Sequence, residues 1–140
     1  MYNTLHTDRG NYIFLLFVQG FFYAQQVLLT SNYIYMKTQI FNSILSCVAE
    51  ATELTTEQIL SSNRKQEIVE ARAMVIYFCK RYGLSCYFIQ EKLNKKSTYA
   101  VRYLEHEFGS MLKQSFSLRE TTQSVEQKLA NNMPKTNTHR

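Results

Sequence analysis

Turn-forming residues are scarce in this 140-residue sequence, which has one proline and four glycines. So little punctuation argues against a many-stranded sandwich or barrel and favours helices. The three cysteines, Cys47, Cys79 and Cys86, make no C-x-x-C pair and have no histidine near them in sequence. That argues against zinc and against a disulfide framework, and suits small apolar thiols buried in a reducing compartment. The three histidines (His6, His106, His139) are dispersed, and neither G-x-x-x-x-G-K-[ST] nor G-x-G-x-x-G occurs. No Ser/His/Asp arrangement can be argued from spacing. Catalytic residues, cofactor and metal are therefore all expected to be none. Charged residues are only 19% of the chain and apolar ones 45%, a balance that gives a globular domain with a real core.

Three segments follow from the pattern. Residues 1–35 carry only two charges, Asp8 and Arg9, and are crowded with Tyr, Phe and Leu. Their run YIFLLFVQGFFYA, 12–24, has 13 residues, short of the roughly 20 that a transmembrane helix needs. Arg9 precedes it as in a signal peptide, but no A-x-A follows. Three readings stay open: translation that begins at Met36, so that 1–35 is not natural coding sequence; an export or membrane segment; or an extra ordered helix. A start at Met36 implies no membrane association.

Residues 36–130 read as the domain, an all-α bundle of about five to six helices. A helix at about 37–52 turns Ile40, Phe41, Ile44, Leu45 and Val48 to one side. Thr55 and Gln58 can form a capping box before Ile59 and Leu60, both expected to point inward. The polar SSNRK, 61–65, is a loop. The stretch at about 66–82 is apolar on most sides, as the central helix of a bundle would be. Lys80, Arg81 and Gly83 suit its end. Ser85 can cap a short helix with Cys86, Ile89 and Leu93 inside; NKK makes a turn; Ser97 caps a helix with Val101, Leu104, Phe108 and Met111 or Leu112 inside. Ser117 and Glu120 suggest a capping box for a last, weaker helix with Leu118, Val125 and Leu129. Residues 131–140 have the composition of a disordered tail.

Charge is unevenly placed. Residues 61–102 hold nine cationic and three anionic side chains, a balance of +6 against +5 for the whole chain. The same stretch contains the short helix, three-residue turn and helix of a helix-turn-helix. With its apolar side turned inward, the second helix presents Thr98, Tyr99, Arg102, Tyr103 and His106. Such a helix can put its N-terminus into a major groove, where backbone N–H groups favour phosphate and the first side chains reach base edges.

The stretch VAEATELTTEQILSSNRKQEIVEARAMVIYFCKRYG, continued by NKKSTYAVRYL, resembles the C-terminal DNA-binding domain of the bacterial replication initiator DnaA, over about residues 40–112. The shared features are the opening VAE, the ILS before a basic loop, the Ala-Arg of EARAM and the basic turn before the recognition helix. The resemblance implies a Trp repressor-like helical fold with a helix-turn-helix. It implies that Arg64 enters a minor groove, that Arg72 helps hold phosphate, and that Lys96 is the basic residue before the recognition helix. Departures accompany it. The family's Asp-His-Thr-Thr is here Ser97-Thr98-Tyr99-Ala100, Gln66 and Glu67 make the loop less basic, and the ATPase domain is missing. A preference for the initiator's own box, and ATP-driven origin melting, are therefore not expected.

The expected partner is double-stranded DNA, in the cytoplasm, in transcription regulation or replication control. A protein partner or a homodimer is the further possibility. Phosphate contacts are expected from Lys65, Arg72, Lys95, Lys96 and Tyr103. Base contacts are expected from Arg64 in the minor groove and from Ser97, Thr98, Tyr99 and Arg102 in the major groove. The alternative is an interaction module that keeps the fold, has lost DNA binding and docks a protein through its aromatic surface.

Overall fold

The computed structural model describes residues 2–133, with side chains from residue 10 onward. Among them are six helices and no strand: α1 (Tyr2–Thr52), α2 (Thr56–Leu60), α3 (Gln66–Arg81), α4 (Cys86–Lys92), α5 (Thr98–Gln114) and α6 (Phe116–Asn132). The chain divides into two compact units, Met1–Lys37 and Thr38–Arg140.

In the first unit, helix continues well beyond Ala24, where the sequence reading ended the apolar run. From residue 10 to residue 36 every side chain is exposed except the half-buried Val18.

The second unit is the bundle, and α3 is its centre. Nine of the 16 residues of α3 are buried, including Ala73, Met74, Val75 and Ile76 in succession, so neighbours cover it on every side. Phe41, Ile44, Leu45 and Val48 of α1, Ile59, Leu84, Ile89, Leu93, Val101 and Phe108 close the core around it. Aromatic rings fix the crossings: Tyr77 lies 5.1 Å from Phe108, and Phe41 meets Phe88 edge-on at 6.4 Å. Each fully buried side chain of this size is worth about 1.5–3 kcal/mol. Burial pushes the Cys79 thiol up to about 12, so no thiolate forms there near neutral pH.

Three helices end in the same way. Glu53 (φ 57°), Gly83 (φ 82°) and Asn94 (φ 50°) take the left-handed conformation. The following N–H then reaches back five residues: Leu54 to Ala49 O (3.1 Å), Leu84 to Cys79 O (2.9 Å), Lys95 to Gln90 O (2.9 Å). This Schellman closure satisfies carbonyls that the helix leaves open.

Several expectations are met in detail. Thr55 and Gln58 form a reciprocal capping box, and Ser85 caps α4 by accepting from the Phe88 N–H. Others are corrected. Leu60 is exposed, because α2 is one turn long and only Ile59 faces α3. The cap of α6 is Ser115, which accepts from the Leu118 N–H. Ser117 lies inside the helix, where its carbonyl accepts from Thr121 Oγ1. Asn131 and Asn132, expected in the tail, complete α6, and residues 134–140 lie outside the described residues.

Candidate nucleic-acid interface

Two short connections carry exposed basic residues, and the structure shapes both by hydrogen bonding. The first is the loop between α2 and α3. Ser61 Oγ donates to Gln58 O (2.6 Å) and accepts from the Asn63 N–H (3.3 Å). Asn63 Oδ1 accepts from the Lys65 N–H at 3.0 Å, an Asx turn that spans Arg64. Arg64 and Lys65 stand out from this turn, both exposed.

Arg72 lies beneath that loop. The resemblance implies a phosphate contact for it, but its side chain is only 3% exposed. Its Nε donates to Ile59 O (3.0 Å), and its Nη2 to Ser61 O and to Asn63 O (3.1 Å). The guanidinium fork thus gathers three carbonyls from one end of the loop to the other. Burial lowers its pKa from the ordinary value. No carboxylate pairs with it among the described residues. In this structure Arg72 holds the loop that presents Arg64 and Lys65, and faces away from solvent.

The second connection is the turn of the helix-turn-helix, between α4 and α5. Asn94 in the left-handed conformation allows the Lys95 N–H to meet Gln90 O, and Gln90 Nε2 donates back to Lys95 O at 3.2 Å. Gln90 therefore clasps Lys95 through both backbone groups. Lys95 is half-buried, and its amine is pushed below the ordinary lysine value, first by burial and then by the charges of Arg72 and Arg64. That dependence puts the loop cations and the turn cation in one electrostatic neighbourhood. Lys96, beside it, is exposed.

The start of α5 completes the surface. Ser97 holds the N-cap position, as expected, but its side chain makes no capping hydrogen bond. The first N–H groups of α5 are left without a side-chain cap, and an anion can take that place. Tyr99, Arg102 and Tyr103 are exposed, whereas Thr98 is half-buried. The Tyr99 and Tyr103 rings stack with centroids 6.4 Å apart and planes at 24°. Glu105 and Glu107, one turn further along, are half-buried and His106 is exposed.

The structure thus puts Arg64 within electrostatic reach of Lys95, leaves Arg64, Lys65 and Lys96 exposed, and withdraws Arg72. The shaping roles of Asn63, Arg72 and Gln90 are not among the sequence-based expectations, although Arg72 itself is, as a phosphate contact. Asn63, two residues before Lys65, carries a readable signal, since Asx turns are local. Arg72 carries another: it is a cation in a segment apolar on nearly all sides. Gln90 carries none, because its clasp depends on how α4 ends.

Residues 41–104 match the family model described as the bacterial DnaA protein helix-turn-helix. The match runs from α1 to the middle of α5, and takes in the loop, the turn and the exposed Tyr99, Arg102 and Tyr103. No curated protein matches the chain. On that match, and on the helix-turn-helix that the fold contains, residues 41–104 are similar to the DNA-binding helix-turn-helix domain of the bacterial DnaA protein.

Proposed function

We propose that this protein binds double-stranded DNA sequence-specifically, in transcription regulation or replication control in the cytoplasm. α5 reads the major groove and the α2–α3 loop reads the adjoining minor groove. The observation that supports this reading is the set of exposed cations Arg64, Lys65 and Lys96, the last of them just before the uncapped N-terminus of α5, all within the stretch that matches the DnaA helix-turn-helix model. Lys65, Lys95, Lys96 and Tyr103 contact phosphate. Arg64, Ser97, Thr98, Tyr99 and Arg102 contact bases. Arg72 acts through the loop it holds.

Selection of bound sequences from a random duplex pool tests the reading and supplies the site. A symmetric site would mark a homodimer. On the selected site Arg102→Ala costs about 1–3 kcal/mol and relaxes preference at one position. An equal loss on every duplex makes Arg102 a phosphate contact, and no loss removes α5 from the groove.

The exposed rings of Tyr87, Tyr99 and Tyr103 favour a second reading, a protein-docking module that has kept the fold. Salt separates the two. A DNA reader is retained on duplex DNA at low salt and released as salt rises, whereas a protein-docking module is not retained.

A further inference from the structure

We propose that residues 10–36 are a bilayer-spanning helix that anchors the DNA-binding unit to a lipid membrane. The proposal goes beyond DNA reading and does not depend on it. These 27 residues contain no Asp, Glu, Lys, Arg or His. At 1.5 Å per residue they extend about 40 Å as helix, enough for a hydrocarbon core of about 30 Å and part of both interfaces.

The apolar surface goes all the way round. Ile13, Phe14, Leu15, Leu16 and Phe17 follow one another, point to every side of the helix, and are each more than half exposed. A helix that docks in a protein groove has one apolar face and a charged face opposite; this one has no charged face. Lipid is the surrounding that meets an apolar helix from every direction.

The ends are built for interfaces. Tyr12 stands near one end, and Tyr33 and Tyr35 near the other. Tyr12 and Tyr33 are 21 residues apart, about 32 Å along a helix axis, close to the hydrocarbon thickness. Tyrosine is enriched at that depth, where its ring is apolar and its hydroxyl wet. The first cations lie just outside, at Arg9 and Lys37. The Lys37 amine sits 4.2 Å from the centre of the Tyr33 ring. Between the ends, Gln19, Tyr23, Gln25, Gln26, Thr30, Ser31 and Asn32 are polar but uncharged. The Thr30 hydroxyl donates to Gln26 O at 2.8 Å, which satisfies it within the helix.

The test uses the full chain. Membranes of producing cells are washed with alkaline carbonate, and purified chain is reconstituted into phosphatidylcholine/phosphatidylglycerol vesicles and floated on a density gradient. The chain stays in the washed membranes and floats equally at low and high salt, since screening does not release an uncharged segment. Proteinase K digestion of the vesicles leaves a protected peptide that contains residues 10–36. The double variant Leu16→Arg/Leu28→Arg moves most of the chain to the soluble fraction and keeps the cooperative thermal unfolding of the bundle. Release of the wild-type chain by carbonate or by salt overturns the proposal. So does a soluble wild-type oligomer, which would mean that a second copy covers the helix, or a double variant that fractionates like the wild type.

Discussion

Removal of the Arg72 side chain separates two roles for this residue, and the structure gives the size of the effect. Arg72→Ala deletes three charge-assisted hydrogen bonds, to Ile59 O, Ser61 O and Asn63 O. Such bonds are worth about 1.5–3 kcal/mol each in isolation, but the three share one side chain and do not add. Exposure decides how much is lost. Asn63 is exposed and Ser61 half-buried, so water can replace the guanidinium at their carbonyls. Ile59 is fully buried, so its carbonyl is stranded at a cost of about 1–3 kcal/mol. With the packing of the lost aliphatic stem, the total is about 3 kcal/mol, or on the order of 10–20 °C in Tm for a domain of this size. Arg72→Lys keeps the charge but cannot span three carbonyls, and should fall between. Urea and thermal unfolding followed by circular dichroism measure the loss. DNA affinity should fall too, through the loop, with the largest loss on sites whose flanks Arg64 contacts. A phosphate-contacting Arg72 predicts the reverse pattern: unchanged stability and a salt dependence shallower by about one ion. Wild-type stability in Arg72→Ala, together with that shallower slope, would refute the loop-holding account.

Three further outcomes are expected. Arg64→Lys should weaken binding on sites flanked by A·T pairs and little on G·C-flanked ones, because a narrow minor groove favours the weakly hydrated guanidinium; Lys65→Arg should change neither, and equal silence of both swaps at one salt concentration would make the loop a mere connection. Lys95→Met should raise stability at neutral pH and weaken DNA binding. The depressed folded-state pKa means that the unfolded chain holds the proton more tightly, so the wild type recovers stability as pH rises from the folded value toward the ordinary lysine value and the variant's advantage shrinks there; a variant less stable than wild type at neutral pH would contradict this. A chain that begins at Met36 should fold and bind DNA like the full one, since the core draws on α1 only from Ile40 onward, and loss of its circular dichroism signal would make residues 1–35 structural.

Local chemistry was the most legible part of this sequence. The capping box at Thr55 and Gln58, the Ser85 cap and the left-handed Gly83 all depend on residues a few positions apart, and each stands where its pattern put it. Side-chain direction was less legible. Leu60 and Ile59 are equivalent in sequence, and only the short reach of α2 decides that one of them is exposed. Arg72 illustrates the limit most clearly: a cation beside a basic loop reads as part of the binding surface, and only packing shows it pointing inward. At the N-terminus, Gln25 and Gln26 ended the apolar run on paper, yet neither breaks a helix, so the uncharged stretch is twice as long as the run suggested.

The clasp of Gln90 on Lys95 bears on how such a reading surface can change over time. It fixes the number of residues between α4 and α5, because a residue added there would put Lys95 out of register with both the carbonyl and the amide of Gln90. Val101 and Phe108 would still hold α5 against the core, so the insertion would unmake the turn and displace the first residues of α5. New target sites are therefore open to this domain by exchange of side chains at fixed positions and closed to it by changes of length. On the proposed reading, the Ser97-Thr98-Tyr99-Ala100 start of α5 is a change of the first kind: a different vocabulary in an unaltered reading frame.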